Sequence, residues 1–170
     1  MTLGPAHGHA IGGLCEDRVM TSFVPDGFVP PAGLDVGAYR LEPLGPEHTQ
    51  SDYAAWTSSI DHIHATPGFE TASWPHEMTL ADNTRDLVQH AADFAARTGF
   101  TYTVLAPDGR TVVGCVYIYP SDAPGVDVRV RSWVRAADAD LDPILYRAVL
   151  DWLDAAWPFT RIDYAPRPGA

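Results

Sequence analysis

Positive charge is scarce in this chain. Eleven Lys and Arg residues stand against twenty-two Asp and Glu, a formal net charge of −11 at pH 7. A surface of that sign repels nucleic acid and anionic membranes at long range, so neither is expected as a partner. Long apolar runs are also missing: nothing approaches the ~18 consecutive apolar residues of a membrane-spanning helix. The first residues lack a basic start followed by an apolar core, and a cytoplasmic location is expected. Cysteine is limited to Cys15 and Cys115, which read as free thiols rather than a disulfide framework. Gly-x-Ser-x-Gly, Walker and dinucleotide-binding patterns are absent, which sets aside an α/β hydrolase or a kinase.

What is present is a chain of 170 residues, 46% hydrophobic, with five Trp, seven Tyr and six Phe, enough for one domain with a substantial core. Residues 1–19 read as an upstream extension outside the fold, with Met20-Thr21-Ser22 as a second possible start. Residues 20–37 alternate Pro and Gly with Phe23, Val24, Phe28, Val29 and Leu34, the pattern of an extended strap lying on the body. The domain proper spans 38–170. Its first strand is Ala38–Leu44, alternating with period two. Tyr53, Trp56, Ile60 and Ile63 place a first helix over His48–His64. Thr79 and Asp82 form a capping-box start for a second helix running to about Arg97, with Gly99 as its left-handed cap.

The densest information lies between Phe100 and Ala165. Phe100–Leu105, a turn at Pro107-Asp108-Gly109-Arg110, and Thr111–Tyr119 make a hairpin. Val126–Val134 follows as the next strand. A helix carrying Leu141, Ile144, Leu145, Val149, Trp152, Leu153 and Trp157 then leads, past Pro158, to a last strand at Thr160–Tyr164. Strand, helix and strand in that order imply that the last two strands run parallel.

This order of elements resembles the GNAT acyltransferase superfamily over roughly Ala38–Ala165. Val112-Val113-Gly114-Cys115-Val116-Tyr117-Ile118-Tyr119 looks like the family's third strand, and Val126–Val134 like the fourth, whose backbone faces the pantetheine arm of acyl-coenzyme A. Leu145–Leu153 is similar to the cofactor-facing helix. The resemblance implies an α/β fold with a mixed sheet of about five strands and helices on both faces. It implies transfer of an acetyl or related group from acetyl-CoA to a small-molecule amine, with Trp133, Val134 and Arg135 bordering the cofactor.

Two departures accompany the match. The family's glycine-bearing pyrophosphate loop is replaced by Arg135-Ala136-Ala137-Asp138-Ala139-Asp140-Leu141-Asp142-Pro143, whose carboxylates cap the helix and complement its dipole. The chain also stops at Ala170, without the further helix and hairpin that often carry the family's tyrosine acid. That leaves the last strand as an edge, which the strap or a partner subunit in a homodimer is expected to cover.

Amine acylation needs a base, an oxyanion-stabilising amide and a proton for the leaving sulfur. Asp127 shares a strand face with Arg129 and Arg131 and is the base candidate; the same three residues also read as a solvated face laced with ion pairs. The Val134 amide is the oxyanion candidate. Tyr117, Tyr119 and Tyr164 lie on strands that would flank the cleft, each as core, rim or acid. Tyr164 is the acid candidate, and Tyr119 joins His76 and Glu77 as acceptor-side candidates. His62, His64, His76 and His90 crowd the helical region, but their spacing carries no metal-ligand pattern, and no metal is expected. The competing reading, from another class, is a GNAT-shaped binding or assembly protein without acyl-CoA, or the same scaffold used for other chemistry.

Overall fold

Six strands form one sheet in strict chain order: β1 (Leu34–Val36), β2 (Tyr39–Pro43), β3 (Phe100–Leu105), β4 (Val112–Pro120), β5 (Val128–Val134) and β6 (Ile162–Tyr164). The computed structural model describes residues 23–170; the extension at 1–19, Cys15 and the Met20-Thr21-Ser22 start lie outside the described residues. The first five strands pair antiparallel, and β5 pairs parallel with β6. The sheet therefore has one strand more than expected. The extra one is β1, inside the strap, where Gly37 at φ 59° supplies the tight turn back into β2.

Among the described residues four α-helices flank the sheet: α1 (Thr49–Thr57), α2 (Ile60–His64), α3 (Leu80–Ala96) and α4 (Leu141–Ala156). The expected first helix is thus two, broken at Ser58-Ser59. The α3 capping box forms as its sequence requires, Thr79 Oγ1 accepting from the Asp82 amide and Asp82 accepting from the Thr79 amide. Its left-handed cap is Arg97 (φ 62°) rather than Gly99. Gly99 is needed for another reason: a Cβ there would overlap the Tyr119 ring. At the start of α4, Asp140 is the N-cap but its side chain makes no capping bond, while Asp138 pairs with Arg135 and Asp142 with Arg167. The three carboxylates are therefore not the helix caps that their position suggested.

The sheet separates two apolar clusters. On one face, Val116 and Ile118 of β4 and Val128, Val130 and Val134 of β5 pack under Leu145, Val149, Trp152 and Leu153 of α4. The strap adds to that face, Phe23 stacking on Phe159 (5.2 Å) and Phe28 meeting Trp157 (5.3 Å). On the other face, Cys115 of β4 and Trp133 of β5 pack with Trp56 of α1, Ile63 of α2 and Leu87 of α3. Period-two alternation along β4 and β5 directs their side chains to the two faces. Among the described residues no helix is long and apolar enough to cross a membrane. At three residues, the β6 edge offers little backbone to a partner strand.

The β4–β5 contact that carries the site is close. A Cβ at Gly114 would overlap the Trp133 carbonyl oxygen, and backbone cannot swing aside as a flexible side chain can. Gly114→Ala is expected to cost about 1–3 kcal/mol, read as a fall in melting temperature of roughly 2–4 °C per kcal/mol for a domain of this size.

Candidate functional site

The helix-covered face of β4 and β5 holds a cavity of about 470 Å³, within the size range of small-molecule sites. Its floor is Tyr117 and Tyr119 of β4 with Arg129 and Arg131 of β5. Its walls are Asn83, Asp86, Leu87 and His90 of α3, Asp52 of α1, and the loop residues Phe69 and Trp74. Alternation puts Tyr117, Tyr119, Arg129 and Arg131 on one face, and register puts Tyr117 opposite Arg131 and Tyr119 opposite Arg129. The aromatic groups make a continuous rim: His90 lies 5.6 Å from Tyr117, Tyr117 is 6.4 Å from Trp74, and Trp74 is 6.1 Å from Phe69. His64 Nε2 donates to the Pro75 carbonyl (2.7 Å), which holds the Trp74 loop in place.

Buried polar groups support this rim. Asp52, 4% exposed, accepts from Asn83 Nδ2 (3.0 Å) and faces Cys115 Sγ (3.5 Å), while Trp56 Nε1 donates to Asn83 Oδ1 (3.1 Å). Burial pushes the Asp52 carboxyl up, against the Asn83 and Cys115 hydrogen bonds that pull it down. Burial, with Asp52 adding to it, also pushes the Cys115 thiol well up, which makes it a neutral packing residue. Trp133 Nε1 donates to the Tyr117 oxygen (2.9 Å). At the other end of the cavity, Tyr119 donates to Asp93 (2.9 Å) and lies 2.9 Å from His90 Nδ1. Thr101 Oγ1 lies 3.0 Å from the same Nδ1, which donates to the Tyr119 oxygen in one tautomer and accepts from Thr101 in the other. Burial lowers the His90 pKa, opposed by Asp93 and Asp86, and favours the neutral ring.

The opposite face presents the gap where β5 and β6 part. Their pairing covers only Val128–Ile162, Arg129–Asp163 and Val130–Tyr164, after which β5 runs on to Val134 alone. Arg167 fills the gap. Its side chain is 2% exposed and donates to the Ser132 carbonyl (2.8 Å), Ser132 Oγ (3.2 Å), both Asp142 oxygens (2.6 and 3.3 Å) and the carbonyls of Ala165 and Pro67. Tyr146 and Tyr164 receive its guanidinium at 5.6 and 5.7 Å. Tyr164 is buried, its hydroxyl 2.5 Å from Ser132 Oγ, and burial pushes its pKa up. The Gly68 turn closes the boundary between cavity and gap: a Cβ there would meet Ala165 and Arg131 at 3.7 and 3.8 Å.

The residues singled out from sequence divide among these places. Tyr119 lines the cavity. His76 and Glu77 line a separate open groove with His62 and Ala136. Asp127 accepts from the Thr160 and Arg161 amides and from the Arg161 guanidinium, which hold its carboxyl far below the usual range. It pins the start of β6 to β5 and does not line the cavity. Trp133 turns to the cavity side, Val134 to the α4 side, and Arg135 pairs with Asp138 (2.6 Å) while its amide binds the Val113 carbonyl. Among the described residues no three His, Cys, Asp or Glu side chains converge as a metal-binding group. Sequence reasoning missed Asp52, Asp86 and Arg167. Arg167, set between Pro166 and Pro168, carried the one available signal, a charged residue in a stiffened tail.

Comparison with solved structures places this architecture. It is similar to ribosomal-protein-S5-alanine acetyltransferase from Vibrio fischeri (TM-score 0.59, 14% identity, covering 78% of this chain and 72% of that one). The microcin C7 self-immunity acetyltransferase, solved with acetyl-CoA and AMP, gives TM-score 0.57 at 12% identity over 78% and 72%. A Salmonella typhimurium acetyltransferase that modifies the N-terminal serine of ribosomal protein L7/L12 gives 0.58 at 7% over 76% and 72%. No protein-family model matches the sequence, and no curated protein matches it. The chain has the GNAT acetyltransferase fold.

The acyl-CoA that this fold implies does not fit the residues present. The strand backbone that would meet its pantetheine is capped at Ser132 by Arg167, Asp142 pairs with that same arginine, and the helix-start loop from Arg135 to Pro143 holds no glycine. Removing one member of such a buried pair strands the other. Arg167→Ala is expected to lose about 3–5 kcal/mol, and the double variant Arg167→Met/Asp142→Leu to regain most of it, both read by denaturant unfolding. Asp52 supplies a second expectation. Its folded pKa lies above its unfolded one, so its stabilising contribution is present at low pH and falls as pH rises through the folded value. Asp52→Asn, which keeps an oxygen for Asn83, should melt higher than the parent at pH 7, the difference closing below about pH 4.

Proposed function

We propose that this protein binds a small molecule in the cavity between α3 and the β4–β5 floor, on a GNAT scaffold that does not take acyl-CoA into the gap between β5 and β6. One observation carries the reading: the Arg167 guanidinium occupies the gap and is satisfied there, while the cavity on the other face is open and lined with aromatic and charged groups. A bound donor would have to displace an ion pair and the tail behind it, and would meet unpaired carboxylate at Asp142 where its phosphates need donors.

A second reading is acyl transfer from acyl-CoA to an amine, favoured by the parting of β5 and β6 beyond Val130–Tyr164 and by the likeness to enzymes of that activity. There the acceptor is a small-molecule amine in the same cavity or, as the ribosomal-protein acetyltransferases suggest, a protein N-terminus.

Calorimetric titration of acetyl-CoA separates the two. With the intact chain, no binding is expected up to about 1 mM, a Kd bound that corresponds to roughly −4 kcal/mol. Saturable binding below about 100 µM, with acetyl transfer to any amine, would replace the first reading with the second.

A further inference from the structure

The cavity is lined by side chains of both charge signs. The Arg131 side chain forms no hydrogen bond or ion pair among the described residues; its guanidinium lies over the Phe69 ring, 5.8 Å from the centroid, and borders the cavity. Arg129, two residues away on the same strand face and only weakly engaged by Asp163 (3.4 Å), adds a second positive charge. On the α3 wall, Asp86 likewise forms no hydrogen bond or ion pair among the described residues. Arg131 and Asp86 do not approach each other within 4.0 Å. Between the two walls stand the Tyr117 and His90 rings, with Trp74 and Phe69 beside them. Arg131 is half-buried and acts on the exposed Glu70 carboxylate from beyond ion-pair distance, while Asp86 is exposed and neighbours His90; a ligand that excludes water from the cavity strengthens its contacts with both.

We infer that the ligand of this cavity is a compact aromatic zwitterion of the aromatic amino acid class, its ring among Phe69, Trp74, Tyr117 and His90, its carboxylate on Arg131, and its ammonium on Asp86. The inference rests on the cavity being the ligand site. A guanidinium without a side-chain acceptor of its own presents the paired donors that a carboxylate accepts. Asp86, near the mouth, offers an acceptor to an ammonium that stays partly hydrated. A ligand with one charge satisfies one wall and desolvates the other without return.

The test uses three probes of equal ring and chain: L-phenylalanine, phenethylamine and 3-phenylpropionate, titrated calorimetrically into the full chain. L-phenylalanine is expected to bind at least tenfold more tightly than either singly charged probe. Arg131→Gln should erase its advantage over phenethylamine, and Asp86→Asn its advantage over 3-phenylpropionate; both residues lie outside the apolar clusters, so the fold is retained. Equal affinities for the three, or tighter binding of a singly charged probe, would overturn the zwitterion and leave the cavity reading standing. Absence of binding by all three at 10 mM would overturn both.

Discussion

A guanidinium taken out of water must be met by acceptors on every side, and the arrangement at Arg167 shows what that demands. Asp142 at the start of α4, the Ser132 carbonyl on β5, and the carbonyls of Pro67 and Ala165 all converge on it. Three separate parts of the chain are therefore fixed to one another through a single side chain: the helix start, the half of β5 beyond its pairing with β6, and the loop before Phe69. Because that loop also carries the Gly68 turn against Arg131, the shape of the cavity on the far face depends on an ion pair on the near one. The gap between parallel strands, which gives the GNAT fold its room for a thioester donor, is spent here on internal cohesion.

The same constraint explains why the helix-start loop tolerates three carboxylates and no glycine. Its backbone adopts no glycine-only conformation, and Asp138 and Asp142 find arginines within the chain. Every one of the eleven basic side chains is arginine rather than lysine. At Arg167 the choice matters, since a planar fork holds several acceptors at once where an ammonium acts as a point charge.

Much of the architecture was legible because local signals agreed with one another: the Thr79–Asp82 capping pair, the hairpin around Gly109, the α4 stripe ended by Pro158, and the strand order itself. What was not legible involved backbone pairing within polar or Pro-rich text. Leu34–Val36 is too short and too close to Pro30 and Pro31 to read as a strand, and Arg97 took the left-handed position beside a glycine that a ring contact required instead. The cavity was less legible still. Asp52, Trp74, Asp86, Tyr117 and Arg131 come from five separate elements, and each read alone passes for core, cap or solvated face. The face shared by Asp127, Arg129 and Arg131 was visible in the alternation, yet only coordinates could show Asp127 drawn off to Arg161 while the arginines line a hollow.

Arg97 joins the strap to the end of α3. It ends α3 in a left-handed turn, and its guanidinium donates to the carbonyls of Pro25 and Phe28 (both 2.7 Å). The strap is thereby laced to the tail of the same helix whose middle forms the cavity wall. Pulling the strap away from Phe159 and Trp157 would tug at that helix end, so a segment outside the cavity becomes a tether through which tension at the amino-terminal side reaches the cavity wall.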